Sequence, residues 1–239
     1  MSQAYPVVFS LGCLAGLGWL AVRRAGSAEG NSAVLMAALL ALALGLAGAR
    51  LGFTALHLPY YLSNPQEILW VWEGGMSWVG GALGAVAAIA IFAWVRRERF
   101  TELADALALP ALAVALASWV GCFLDACVYG FRASAGPLYP ASPDLFGVVA
   151  PRWPTAAVGM IATGLLLSAM VLLEARRIPP GLGAGIALGG MALIAFVLSF
   201  TRGDAVLLIG AARLDTVAAV GVLLLAGAFI AAPAWSARR

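Results

Sequence analysis

Three side chains in this sequence, Glu73, Asp125 and His57, could take a proton from a nucleophile, and four arginines, Arg50, Arg132, Arg152 and Arg202, could hold an anion. A positioned carboxylate or imidazole is what general-base catalysis requires. Guanidinium binds phosphate bidentately and keeps its charge at any relevant pH. The densest grouping runs Val71-Trp72-Glu73-Gly74-Gly75-Met76-Ser77-Trp78-Val79-Gly80-Gly81-Ala82-Leu83-Gly84, where an acid, a serine and five glycines lead straight into an apolar stretch. Gly75, Gly80, Gly81 and Gly84 let something approach the backbone closely. Helix packing alone accounts for the glycines equally well, whereas Glu73 and Ser77 favour a polar site.

The elements that must position these residues are membrane helices. The chain is 63% hydrophobic and 10% charged with a mean hydropathy of +0.98, which marks an integral membrane protein and excludes a soluble domain. A span takes about 20 apolar residues, and seven stretches qualify, near 6–22, 33–56, 70–95, 104–126, 155–173, 182–201 and 206–233, the last with room for a short surface segment before the span proper. The apolar runs are long and lack period-two alternation, which disfavours a β-barrel. The expected fold is all-α: a polytopic helical bundle, one transmembrane domain over 1–239, with an external loop or lid near 127–154.

Orientation follows from arginine, which supplies all 14 basic residues. Arg23, Arg24, Arg96, Arg97, Arg99, Arg176, Arg177, Arg238 and Arg239 fall on one side, Arg132, Arg152, Arg202 and Arg213 on the other, and Arg50 inside the second span. The richer side should be cytoplasmic, with the N-terminus outside and the C-terminus inside. The net charge of +3 is then mostly topology signal, and no nucleic-acid partner is expected. The N-terminus lacks a basic region and a cleavage site, so the first span reads as a retained anchor. Ser10-Leu11-Gly12-Cys13 resembles a lipid-attachment box only faintly, since it lies inside a span. One histidine and three cysteines without a CxxC make a metal site unexpected, and no cofactor is expected. Cys122 and Cys127, five apart on one helix, offer poor geometry for a disulfide.

Several readings stay open. Arg50, near the outer end of the second span, is either an anion ligand or a side chain snorkelling to the headgroups. Asp125, in Gly121–Gly130, could accept a proton, pair with an arginine or cap a helix end. Arg152 sits in Pro151-Arg152-Trp153-Pro154-Thr155 at the entry to the fifth span, and Arg202 with Asp204 is equally a surface pair or part of a site. Tyr60, Tyr61 and Trp70 fit an interfacial aromatic belt. Arginines gathered at the outer boundary beneath an external loop are what an anionic phospholipid headgroup from the outer leaflet requires.

The segment from Trp72 to Gly84, together with Ala49-Arg50-Leu51-Gly52-Phe53, Trp19-Leu20-Ala21-Val22-Arg23-Arg24-Ala25, Gly121-Cys122-Phe123 through Gly130, and Arg152-Trp153-Pro154-Thr155, resembles the prolipoprotein diacylglyceryl transferase family. The resemblance implies seven spans in the bacterial cytoplasmic membrane and a reaction that moves diacylglyceryl from phosphatidylglycerol to the lipobox cysteine of prolipoproteins. Its partners would be phosphatidylglycerol or a similar anionic phospholipid and prolipoprotein signal peptides. In that reaction a thiol displaces glycerol phosphate at the sn-3 carbon, so it needs a base and cations at the leaving phosphate. Glu73, Asp125 or His57 would serve as base; Arg50, Gly74, Gly75, Ser77, Gly80, Gly81, Arg152 and Arg202, with Arg132 beside them, would hold the lipid and its phosphate.

The departures fall on the family's working positions. Val79 stands where the family has a histidine, Trp119 where it has an arginine, and Cys122, Asp125 and Cys127 where it has two asparagines and a glutamate. Ala156, Val158 and Gly159 replace glutamine, tyrosine and glutamate; Ala195 and Ser199 replace arginine and glutamate, with Arg202 kept. A divergent transferase is therefore expected. The alternative is a non-catalytic relative that binds anionic phospholipid or a lipoprotein signal sequence, and a small-solute transporter would be recognised by broken helices or inverted repeats.

Overall fold

The computed structural model describes residues 4–23, 28–174, 176 and 178–236. It is mostly helical: α1 (Ala4–Arg23), α2 (Ala28–Leu56), the short α3 (Leu58–Ser63), α4 (Trp78–Arg96), α5 (Phe100–Leu124), α6 (Thr155–Glu174), α7 (Leu182–Ser199) and α8 (Leu214–Ser236). Seven of these, all but α3, are long and apolar enough to cross a membrane. Two small antiparallel hairpins complete it, β1 (Ala141–Pro143) with β2 (Val149–Pro151) and β3 (Leu208–Ile209) with β4 (Ala212–Arg213). Of the orientation arginines, Arg24, Arg177, Arg238 and Arg239 lie outside the described residues.

The third span starts later than its apolar run suggests. Residues 65–73 form two 3-10 turns, Pro65–Leu69 and Val71–Glu73, and the chain then turns through Gly74 and Gly75 at φ 90° and 75° before α4 begins at Trp78. Pro65 and the two left-handed glycines stop a helix that hydropathy alone would carry through. The last span begins at Leu214, and the β3–β4 hairpin forms the short segment ahead of it.

The expectation against a Cys122–Cys127 bridge is overturned: the two sulfurs form a disulfide with a Cα–Cα distance of 4.9 Å. The expectation assumed one continuous helix. In fact α5 ends at Leu124 and Ala126 adopts a left-handed backbone, φ 53°, which turns Cys127 back toward Cys122.

The chain divides into two compact units, residues 17–107 and residues 1–16 with 108–239. In the first, α2 and α4 pack most extensively. Their seam is built of Gly48, Gly52, Gly80 and Gly84, where added Cβ atoms would run into facing backbone: Gly80 into the Gly48 carbonyl, Gly84 into that of Leu44. Beside this seam Leu20, Val34, Ala37, Ile89, Phe92 and Leu107 form an apolar core. In the second unit, α6, α7 and α8 pack in succession, with Leu112, Met170 and Ala187 in the core. Pro110 inside α5 meets Gly16 of α1 closely, and a Cβ there would lie 3.1 Å from Pro110 Cα.

The long 127–154 segment is ordered by backbone pairing. Phe131 N–H donates to Thr201 O, Trp153 N–H to Phe131 O and Gly203 N–H to Tyr129 O, so three strand-like pieces run side by side. Phe131 stacks on Trp153 across this layer, with ring centroids 6.4 Å apart.

Candidate functional site

In the first unit, Arg50 projects from α2 with only 6% of its surface exposed. Its Nε donates to Ile68 O at 2.8 Å, Nη1 to Gly74 O at 2.6 Å and Gly75 O at 3.2 Å, and Nη2 to Glu67 O. A guanidinium offers five N–H donors in a fixed fork, and four of them go to carbonyls of the 65–75 segment. The plane lies over Tyr61 at 5.4 Å. Among the described residues the hydrogen-bond partners of Arg50 are all backbone carbonyls, whose dipoles solvate the charge without cancelling it. Snorkelling does not describe it; Arg50 gathers the polar loop around itself.

Around it lies a cleft of about 210 Å³ lined by Arg50, Phe53, Tyr60, Tyr61, Glu67, Gly74 and Gly75. Tyr60 OH donates to Glu67 Oε2 at 2.6 Å, so the cleft holds a carboxylate, a phenol and an arginine together. The two φ-positive glycines turn their carbonyls inward, and a Cβ on Gly75 would press on the Phe53 ring. Below the loop, Ser77 caps α4, its Oγ accepting from Gly80 N at 3.2 Å while its own N–H donates to Ala49 O at 2.9 Å.

The residues singled out in the sequence thus divide. Arg50, Gly74 and Gly75 come together at the cleft; Ser77 is a helix cap, and Gly80 and Gly81 lie along the α2–α4 seam. The backbone of Glu73 closes the second 3-10 turn, and its side chain lies outside what is described. His57 is exposed, stacked on Phe53 at 4.2 Å with Nδ1 3.0 Å from Phe53 O, and does not line the cleft. Glu67 and Tyr60 were missed. Asn64-Pro65-Gln66-Glu67 reads as a polar turn, and its link to Arg50 runs through backbone carbonyls that no residue type announces.

In the second unit, Arg152 is 2% exposed; its Nη2 donates to Asp144 Oδ2 at 2.7 Å and its guanidinium lies 4.8 Å over the Tyr129 ring. Arg132 approaches the same carboxylate at 3.8 Å. Asp144 also makes the β1–β2 turn, Oδ1 accepting from Phe146 N at 3.0 Å and Val148 N at 2.9 Å. Burial pushes this carboxyl up, but the two amide donors and the guanidinium groups of Arg152 and Arg132 outweigh it and hold it below the ordinary carboxylate range. The Arg152 charge is therefore answered within the protein. Asp144 was missed although Pro143-Asp144 ahead of Gly147 is a turn signature.

Arg202 forms a second network: it pairs with Asp204 at 2.5 Å and Asp215 at 3.3 Å, and Arg213 reaches the same two carboxylates at 3.4 and 3.7 Å. Two cations and two anions balance here. Asp125 Oδ2 accepts the Tyr5 N–H at 2.9 Å, tying the exit of α5 to the first turn of α1. Trp119 covers Gly159 so closely that a Cβ there would meet its indole at 2.6 Å. Ser199, 1% exposed, donates to Phe196 O at 2.7 Å and shares a 2.7 Å hydrogen bond with Thr216. Two positions where the family resemblance implies an arginine and a glutamate are thus packed as one apolar pair, Trp119 on Gly159. Among the described residues no group of three or more His, Cys, Asp or Glu is placed to hold a metal ion.

Seven apolar helices and an arginine-held polar loop define a multi-pass membrane protein. The family model for prolipoprotein diacylglyceryl transferase matches residues 2–232, and the chain belongs to that family. It is similar to the phosphatidylglycerol--prolipoprotein diacylglyceryl transferase of Methylibium petroleiphilum, 34% identical over 163 residues that cover 65% of this chain and 60% of the relative. The proteins of the same name from Roseobacter denitrificans and Paracidovorax citrulli are 35% and 37% identical; the matches cover 65% and 54% of this chain and 56% and 48% of those relatives. The chain therefore spans between about half and three-fifths of the length of these relatives.

Proposed function

We propose that the protein is a divergent phosphatidylglycerol-prolipoprotein diacylglyceryl transferase of the bacterial cytoplasmic membrane, acting in lipoprotein biosynthesis. The observation that carries this reading is the family match over residues 2–232, which includes the Trp72–Gly84 segment that Arg50 organises. The N-terminus faces outward and the C-terminus the cytoplasm. Arginine counts support that orientation, and so does the Cys122–Cys127 bridge, since disulfides persist in oxidising compartments and this one lies at the end of α5 assigned to the outside. The 127–154 segment then lies outside as well.

The reaction places the phosphatidylglycerol phosphate at the Arg50 cleft, drawn by a cation with no carboxylate among its described hydrogen-bond partners. Glu67 is the base at this position, its carboxylate oriented by Tyr60. It takes the proton of the lipobox thiol; the thiolate attacks the sn-3 carbon; the C–S bond forms as the C–O bond breaks, and glycerol phosphate leaves with the electron pair, its charge met by the Arg50 guanidinium. Arg152 and Arg202 act through the 127–154 layer they anchor, and Glu73 and Asp125 stand as further carboxylates of the outer half.

The test incubates detergent-purified protein with phosphatidylglycerol and a synthetic lipobox peptide and reads the peptide by mass spectrometry. A diacylglyceryl adduct on the peptide cysteine, lost in Arg50→Ala, supports the reading. Absence of the adduct while phosphatidylglycerol still co-purifies would overturn it in favour of non-catalytic lipid binding.

A further inference from the structure

The Cys122–Cys127 bridge joins residues five apart at the exit of α5. A ring this short removes less chain entropy than a bridge between distant residues, so its effect is local: it holds one turn. That turn includes Ala126 at φ 53°, a conformation an L residue seldom keeps without outside constraint. The bridge also forms one wall of a cleft of about 80 Å³, in which Cys122, Phe123, Val128, Pro143 and Pro154 surround a narrow, mostly apolar space. Both cysteines are half-buried rather than sealed in the core. Cys122 lines the cleft and Cys127 does not, so the cleft gives an entering group access on the Cys122 side of the bridge. The residues that line the cleft carry no charged side chain, so it favours apolar visitors over charged ones.

We propose that Cys122–Cys127 is a thiol-exchange site for slim, uncharged thiols. The incoming thiol loses its proton to solvent, and its thiolate attacks Cys122 Sγ in line with the bridge. A new S–S bond forms to Cys122, the old one breaks, and Cys127 leaves as the thiolate. Return attack by Cys127 expels the thiol and restores the bridge, so the cycle has no net oxidation and needs no further reactant. While open, the ring no longer constrains Ala126, and the α5 exit is released next to Tyr129, the residue that carries the Arg152 guanidinium. This exchange goes beyond the transferase reading and does not depend on it.

The full chain, purified without reductant, is exposed to mercaptoethanol or to glutathione at equal concentration, quenched with iodoacetamide and mapped by peptide mass spectrometry. The expected product is a mercaptoethanol adduct on Cys122 with Cys127 alkylated, formed roughly tenfold faster than the glutathione adduct because the cleft is narrow and mostly apolar. Phe123→Ala, at a side chain 54% exposed whose removal leaves the core intact, should narrow that ratio by widening the cleft. Alkylation of Cys127 before any thiol is added, an adduct on Cys127 in place of Cys122, or equal rates for the two thiols would each overturn the proposal.

Discussion

At the scale of single residues, Arg50 and Asp144 are buried or nearly buried ionic groups with different kinds of partner. Arg50 is held by carbonyls, and its planar fork is what lets one side chain reach Ile68, Glu67, Gly74 and Gly75 together. Lysine keeps the charge but cannot span that set. Arg50→Lys should cost about 2–4 kcal/mol of stability as charge-assisted bonds are lost, read as a lowered thermal midpoint, and hydrogen exchange should quicken at 65–75 ahead of the helices. Glu67→Gln removes the proposed base while leaving a group that still meets Tyr60. Transfer should fall on the order of 10²–10⁴-fold at unchanged stability. Asp144 makes a pH prediction. Its folded carboxyl is held below the ordinary range, so its contribution is complete above the unfolded value near 4 and is lost as pH falls toward the depressed one. Protease cleavage within 127–154 should rise over that acid window first, before cleavage between the spans.

At the scale of elements, the α2–α4 seam, the entry to α4 and the exit of α5 decide what can be placed where. Because Gly80 and Gly84 meet backbone carbonyls rather than side chains, nothing can give way when a Cβ is added. Gly80→Ala should destabilise by about 1–3 kcal/mol, measured by the loss of folded protein on heating in detergent. These glycines were legible in the sequence as a close approach, and helix packing answers the question they left open. Seven spans were legible too, because about 20 apolar residues in a row have few other uses. Less legible were the places where short polar chemistry interrupts hydropathy. Pro65, Gly74 and Gly75 delay α4, the Ala126 turn makes a disulfide of two cysteines that seemed stranded on one helix, and Asp144 closes a turn while pairing with Arg152. Each depends on backbone direction over a few residues, which residue types indicate only weakly. The Arg50–carbonyl cage was illegible for a plainer reason: all its acceptors are backbone.

At the scale of the whole molecule, seven apolar helices and a family match from residue 2 to 232 carry the family assignment, while the proposed chemistry would rest on a small set of charged side chains within a chain that is 10% charged. The departures at Trp119, Gly159 and Ser199 are filled by packing and hydroxyl bonding, so in the proposed transferase reading transfer would fall to Arg50 and the carboxylate of Glu67 beside it. The most direct test is the initial rate at which wild type and Arg50→Lys place diacylglyceryl from phosphatidylglycerol on a lipobox peptide cysteine, each checked for retained fold. The account predicts measurable transfer by wild type and a loss of about 10²-fold in the variant, as expected when a positioned loop shifts by about an ångström. Transfer that is equal in the two proteins would contradict it, because the Arg50-held loop would then have no part in the chemistry.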